Sequence, residues 1–235
     1  GPNSATGTPD KHFDTLLWEG DSNVGPRNIG GLNFRPDLVW TKTRDASYSH
    51  ELHDSLRGGD KVIYPDLSAA EDNAGTTVDY LDFNDNGIDV GYHSSWKGKN
   101  ESGKEYVAWC WKAGNETTIV TNDTTNCSDV TQSVNVDAGF AITSYKSSTS
   151  ASVVFPHNLG KTPEWIIVKN RNDTNSWMVW HKGLTAGNNN LRLDGPGAMA
   201  SSGSGYINAP TSTLINLEAG GGNVAGSGTN YICYA

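Results

Sequence analysis

The amino-acid sequence predicts an all-β protein made of two related β-sandwich units of jelly-roll or lectin-like type. Three observations carry that expectation: the chain repeats itself once, strand signals are dense while helix signals are nearly absent, and the composition suits short strands joined by polar turns. The repeat is read first. Arg35-Pro36-Asp37-Leu38-Val39-Trp40-Thr41-Lys42-Thr43-Arg44 returns as Thr162-Pro163-Glu164-Trp165-Ile166-Ile167-Val168-Lys169-Asn170-Arg171, an offset of 127 residues from Pro36 to Pro163. The same offset carries Phe13 onto Phe140, Trp18 onto Tyr145 and Leu32 onto Leu159. Further along the register drifts: Leu52-His53 answers Trp180-His181, and Asn100-x-x-Gly103 before Tyr106-Val107 answers Asn223-x-x-Gly226 before Tyr231-Ile232. The period is far too long for a solenoid, so this is one duplication. Positions that both copies share report the scaffold, and function is expected where the copies differ.

Strands are expected at Asp37–Lys42, Lys104–Lys112, Ser152–Phe155, Glu164–Lys169, Ser176–His181, Thr213–Leu217 and Tyr231–Tyr234, where β-branched and aromatic residues cluster between turn formers. Tyr106, Ala108 and Cys110 alternate with Val107, Trp109 and Trp111, as in a strand covered on two sides. Asn84-Asp-Asn-Gly87 and Arg57-Gly-Gly-Asp60 supply turns. Pro fixes the start of each repeated strand, the apolar run fills a core with Trp40 and Ile167 at equivalent buried places, and Lys-x-Arg returns to solvent. Gly1-Pro2 matches the remnant left when a purification tag is cut off, so 1–10 reads as tag scar and flexible start. The first sandwich then runs over 11–114, a Thr/Asn-rich connector with one strand over 115–137, and the second sandwich over 138–235. Duplicated halves can also trade strands.

Composition bounds the function. Gly is 27 of 235 residues and charged residues are 18%, below the globular average, which favours turn-rich β structure. The formal net charge of −9, with no Lys/Arg run, argues against nucleic acid or an anionic membrane as partner. No apolar run is long enough to cross a bilayer as a helix, so membrane insertion is not expected. Cys110, Cys127 and Cys233 form neither a disulfide framework nor a zinc pattern and read as reduced thiols. Sequons at Asn100, Asn115, Asn122, Asn126 and Asn172 read as accidents of composition.

Several strings together resemble a domain family of structural proteins from tailed bacteriophages, especially those of marine and cyanobacterial hosts. They are Gly31-Leu-Asn-Phe-Arg-Pro-Asp-Leu-Val-Trp-Thr-Lys-Thr-Arg44, Asp54-Ser-Leu-Arg-Gly58, and Asn100-x-x-Gly103-x-x-Tyr-Val-Ala-Trp-Cys-Trp-Lys-Ala-Gly114. The second half adds Ala138-Gly-Phe-Ala-Ile142, His157-Asn-Leu-Gly160, Lys169-Asn-Arg171 and Tyr231-Ile-Cys-Tyr-Ala235. The resemblance implies a virion protein, the distal receptor-binding part of a tail fibre with a lectin-like sandwich. It would attach the virion to a host-surface glycan or envelope component, usually as a homotrimer, and carries over no catalytic residue. A structural or decoration protein, or a polysaccharide-degrading tail component, is the alternative. The second copy stops before the Lys-Ala-Gly tail of the first, which would suit a fibre tip.

Candidate chemistry is sparse. Asp82, Asn84, Asn86 and Asp89 resemble the start of a calcium loop, but His93 stands where a bidentate Glu belongs, and a hairpin turn explains Asn86-Gly87 as well. No cofactor is expected beyond that calcium candidate. His53 and His181 occupy matching places, which argues for packing over catalysis, and no Ser-His-Asp set or carboxylate pair has supporting context, so no enzyme is expected. Ligand contacts are expected in loops unique to one copy, where an aromatic face can stack on a sugar and polar groups read its hydroxyls. The candidates are Tyr92, His93, Trp96 and Lys97 in the first copy, and Asn172, Asp173, Asn175 and Trp177 in the second. Trp40, Trp109, Trp111 and Trp165, inside strand motifs, are expected in the core.

Overall fold

A computed structural model describes residues 9–73, 80–93, 99–184, 189–200 and 205–235. Its described residues are almost entirely β, with one three-residue 3-10 turn at Pro9–Lys11 as the helical exception. Residues 1–8, most of the stretch read as a tag scar, lie outside the described residues. Two compact units result: Gly1–Val62 with Asn73–Asn115, and Ile63–Asp72 with Glu116–Ala235.

In the first unit the strands are β1 (Phe13–Glu19), β2 (Arg27–Gly30), β3 (Leu38–Thr43), β4 (Glu51–Asp54), β7 (Leu81–Asn84), β8 (Gly87–Val90) and β9 (Glu105–Trp111). Two-residue strands β5 (Lys61–Val62) and β6 (Asp72–Asn73) bracket the short segment that groups with the second unit. A four-stranded antiparallel sheet in the order β1-β9-β3-β4 and a three-stranded sheet β2-β8-β7 share one core, to which Leu16, Trp18, Val39, Tyr106 and Ala108 contribute from the first sheet and Ile29, Leu81, Ile88 and Val90 from the second. That is a sandwich, built by period-2 strands that each turn one face inward.

The second unit holds β10 (Thr118–Ile119), β11 (Cys127–Asn135), β12 (Phe140–Ser147), β13 (Val153–Pro156), β14 (Trp165–Asn170), β15 (Met178–His181), β16 (Leu191–Arg192), β17 (Ile207–Asn208), β18 (Leu214–Leu217) and β19 (Asn230–Tyr234). Its large sheet runs β10-β11-β12-β19-β14-β15-β16, and β13-β18-β17 covers it. The stretch 115–137 is thus more than a connector, because β10 and the nine-residue β11 extend this sheet beyond β12.

The inner strands reproduce those of the first unit in order and register: β12-β19-β14-β15 repeats β1-β9-β3-β4. Trp18 pairs with Tyr106 as Tyr145 pairs with Tyr231, and Trp40 pairs with Trp109 as Ile167 pairs with Tyr234. Both copies keep the same ring stack, Trp18 on Tyr106 at 5.3 Å and Tyr145 on Tyr231 at 5.0 Å, a contact worth about 1 kcal/mol beyond its area. Trp18 Nε1–H donates to Lys99 O, 2.8 Å, where Tyr145 O–H donates to Val224 O, 2.7 Å. A turn with its glycine at φ 72° precedes the last strand of each copy, at Gly103 and Gly228. Side chains rarely adopt that conformation, so glycine is retained twice.

This register corrects two sequence alignments. Leu38 faces Asp54 as Trp165 faces His181, so Asp54 corresponds to His181, and His53 corresponds to Trp180. His53 and His181 therefore do not match; they sit on opposite faces, since a one-residue slip along a strand reverses every side chain. Likewise Gly103 corresponds to Gly228, not Gly226. The expected solvent-facing Lys is also corrected: Lys169 is buried, and its ammonium donates to Asn170 O at 2.6 Å, as that of Lys42 donates to Thr43 O at 2.6 Å.

Candidate functional site

Two features distinguish the first unit from its copy. One is a set of ionisable side chains inside the core. Glu51 and His53 point inward from β4, and Lys99 from the turn leading to β9. The Lys99 ammonium pairs with Glu51 Oε2 and lies 3.3 Å from the centroid of the Tyr80 ring; Tyr80 O–H donates to Glu51 Oε1 at 3.0 Å. His53 Nδ1 is 2.7 Å from Gly59 O. A carbonyl only accepts, so Nδ1 carries the proton and Nε2 faces Glu51 Oε2 at 3.6 Å without a hydrogen bond. Gly59 must be glycine, because a Cβ there would stand 1.7 Å from Leu81 O.

Electrostatics follow from this burial. Burial alone pushes the Glu51 carboxyl up, but the Lys99 charge, joined by His53 once acid protonates it, outweighs that and holds it at about 2. Burial pushes His53 down to about 4, reinforced by Lys99, and pushes Lys99 down to about 8 against the pull of Glu51. At neutral pH the set is therefore one carboxylate, one ammonium and a neutral imidazole. Beside it Arg57 Nε donates to Asp54 Oδ2 at 2.5 Å, a second buried ion pair, and Arg57 also donates to Leu52 O at 3.0 Å. Buried groups of this kind hold structure.

The other feature faces outward. Phe13, Thr15 and Leu17 on β1, Val107, Trp109 and Trp111 on β9, and Trp40 and Lys42 on β3 share the outer side of the four-stranded sheet. Trp109 lies between Thr15 and Trp40, and Trp111 between Phe13 and Leu38. Trp40 meets Trp109 edge-on, 6.4 Å between centroids, and its Nε1–H donates to His50 Nδ1 at 2.9 Å; Phe13 lies 5.0 Å from Trp111. Phe13 and Leu17 are 40% and 65% exposed, and the three indoles are half-buried. The expectation that Trp40, Trp109 and Trp111 fill the core is thereby corrected. Tyr106, Ala108 and Cys110 take the inner side, beside Leu16 and Trp18 of β1. Trp165 is also outside the core, 50% exposed at the start of β14.

The loop residues expected to bind ligand do not form one constellation. Tyr92 and His93 are half-buried beyond β8, with Tyr92 N–H donating to Asn23 O at 2.9 Å. Trp96 and Lys97 lie outside the described residues. In the second unit Asn172 and Asp173 are exposed and Asn175 is half-buried. Asn172 Oδ1 accepts from Asn230 N–H at 2.6 Å, Asp173 N–H donates to Asn170 Oδ1 at 3.0 Å, and Asn175 N–H donates to Ser68 O at 3.0 Å. Trp177 is not an exposed ring. It is fully buried, and its indole N–H reaches Tyr64 O at 2.9 Å and Leu67 O at 3.1 Å. The segment Ile63–Asp72 covers it, fixed by the Arg171–Glu71 pair at 2.8 Å. Nothing near Trp177 in the sequence announces a cover supplied from 110 residues upstream.

For the calcium candidate, Asp82 and Asp89 face each other across the β7–β8 hairpin, and Asp89 Oδ1 accepts from the amides of Asn84 at 3.0 Å and Asn28 at 3.1 Å. Asn86 O accepts from Gly31 and Leu32 N–H. The loop is a hairpin turn in which Asp89 Oδ1 and Asn86 O already have partners. Among the described residues no three His, Cys, Asp or Glu side chains converge as metal ligands. The cysteines are free; burial raises Cys110 to about 12 and Cys127 to about 11, which leaves both as unreactive thiols. Asn100, one of the sequons, is buried and so closed to a glycan.

A family described as a domain of unknown function, DUF7483, matches residues 8–235, and the chain belongs to it. No curated protein matches the chain, and no solved structure does.

Proposed function

We propose that the chain is the distal, receptor-binding part of a bacteriophage tail fibre, which attaches the virion to a glycan or envelope component of the host surface. The observation that carries this reading is the outer sheet face of the first unit. At positions where the second copy has buried Ile167 and Tyr234, the first has half-exposed Trp40 and Trp109, beside exposed Phe13 and Leu17. A sandwich scaffold kept twice, with a cluster of three half-exposed indoles and an exposed Phe on one sheet face of the first copy, suits adhesion better than a second structural repeat. The ordered phage-like strings in both halves support the same assignment. In a homotrimer three such faces act together, so weak single-site affinity suffices.

Adsorption competition tests the reading. Purified chain is expected to bind host cells and to block infection by the parent phage. Virion incorporation without cell binding would favour a decoration protein, and shortened host polysaccharide would favour a degrading tail component.

A further inference from the structure

We propose that the outer face of the β1-β9-β3 strands, centred on Trp109, is a stacking platform for a neutral polysaccharide. This deepens the receptor-binding reading and rests on it for its biological meaning, but not for its chemistry.

The face offers rings in fixed orientations. Trp40 is locked by its hydrogen bond to His50 and stands edge-on to Trp109, and Phe13 braces Trp111. Rings that need not be ordered on binding lose little entropy when a ligand arrives. A pyranose has a C–H face that matches an indole and a rim of hydroxyls, and the hydroxyl of exposed Thr15 lies beside Trp109 to meet that rim.

Charge selects a neutral sugar. Among the described residues the cation on the face is Lys42, which spends its ammonium on Thr43 O and Ala46 O, at 2.6 and 2.9 Å. Arg44 at its edge is paired with Glu105 at 3.0 Å. The rim carries exposed Glu19, opposite the Glu105 that Arg44 pairs, on a chain of net charge −9. An acidic glycan would find no unspent cation there and would meet like charge.

Affinity electrophoresis of the full chain tests this, in native gels containing dextran, mannan, xyloglucan or agarose, with alginate as the acidic counterpart. Retardation is expected in at least one neutral gel and not in alginate. Trp109→Ala should weaken it about thirtyfold, the loss typical of a central aromatic anchor. Phe13→Ala at the exposed sheet edge is the second variant, kept in case Trp109→Ala misfolds, and should weaken retention severalfold with an unchanged circular dichroism spectrum. Trp165→Ala in the second unit should leave it unchanged. No retardation in any neutral gel, retention undiminished in both face variants, or preference for alginate overturns the proposal. So does sedimentation showing that the wild-type chain dimerises and that Phe13→Ala makes it monomeric, which assigns the face to a second copy. If the wild-type chain blocks adsorption and Phe13→Ala blocks it equally, the platform is wrong and the receptor-binding reading stands. If neutral polysaccharide binds but cells do not, the platform stands and that reading fails.

Discussion

At three matching core positions the two units solve one packing problem with opposite chemistry. The first unit places Glu51, His53 and Lys99 there; the second places Met178, Trp180 and Val224, all part of its apolar core. The register makes the positions equivalent, and the shared hydrogen bond to Lys99 O or Val224 O confirms the third. The fold therefore does not require charge at these places, because one copy does without it. Burying an ion pair gains little over an apolar set of the same shape, while breaking one is costly.

The largest effects should come from breaking that balance. Lys99→Met leaves Glu51 buried without its counter-ion and is expected to destabilise the first unit by about 3–5 kcal/mol. The pair Glu51→Met with Lys99→Val, borrowed from the second unit, should recover most of that loss. Denaturant titration gives the energies, and amide exchange in β9 against β19 shows which unit opens. A single variant as stable as wild type would mean the pair is not an ion pair. The matching test in the second unit is Trp177→Ala, expected to cost about 3–5 kcal/mol as a buried ring is lost. Trp177→Phe keeps most of the ring and removes the donor to Tyr64 O and Leu67 O, for about 1–2 kcal/mol. Limited proteolysis should then cut within Ile63–Asp72 in both variants; an uncut segment would show that Trp177 does not hold it.

Acid should also separate the units. His53 has its folded pKa at about 4 against an ordinary 6.5, so the unfolded chain takes up a proton first and stability falls between those values. Glu51 is held at about 2 against 4.5, so its contribution is full above 4.5 and is lost as pH falls towards 2. Together they drain the first unit across the range from 6.5 to 2, with Glu51 contributing on the order of 3 kcal/mol. The second unit has Met178 and Trp180 in those places; among its groups His157 is lowered by burial. The alkaline side does not discriminate, because Lys99 and Lys169 are both pushed down to about 8. In either unit the unfolded chain keeps that proton longer, so this contribution raises stability between pH 8 and 10.5. Exchange at pH 4 should therefore be faster in β9 than in β19, and equal rates would remove the buried set as the cause.

How much of this is legible in the sequence depends on how local each cause is. The expected strands appear because β-branched and aromatic runs between Gly and Pro act within a few residues, as in β3, β9, β14 and β19. The duplication and its offset survive from Phe13 to Lys42 because the few identities there, at Phe13, Leu32, Pro36 and Lys42, keep one constant spacing with no insertion between them. Matching His53 to His181 fails because strand register, not identity, sets the correspondence there, and period-2 alternation punishes a slip of one residue. Trp109 and Trp111 visibly share a face with Val107; that this face is the outer one depends on β1 and β3 packing beside it. Trp177 fails for the opposite reason: its flanking Asn and Ser residues mark a hairpin tip, yet a distant segment lies over it. Glu51 and Lys99 are unreadable as partners, 48 residues apart with only tertiary structure to join them.

The smallest expected effect concerns the acid of the repeated motif, which the two units use differently. Asp37 is buried and accepts from Ser55 O–H at 2.6 Å, Ala113 N–H at 2.8 Å and Asn115 N–H at 3.1 Å, so it ties the start of β3 to the chain beyond β9. Glu164 stands at the equivalent place but is exposed, and its carboxylate pairs with the exposed Lys182 ammonium. The backbone link is the same in both, Ser55 N–H to Asp37 O at 2.8 Å and Lys182 N–H to Glu164 O at 2.9 Å, so the side chains alone differ. Asp37→Asn replaces one acceptor oxygen by a donor facing other donors, and is expected to cost about 1–3 kcal/mol. Glu164→Gln loses an exposed ion pair, which solvent screens, and should change stability by less than about 0.5 kcal/mol, with no dependence on salt above 0.15 M. Paired denaturant titrations check this contrast. Equal losses at the two sites would show that the acid serves one purpose in both copies and that its burial in the first adds nothing.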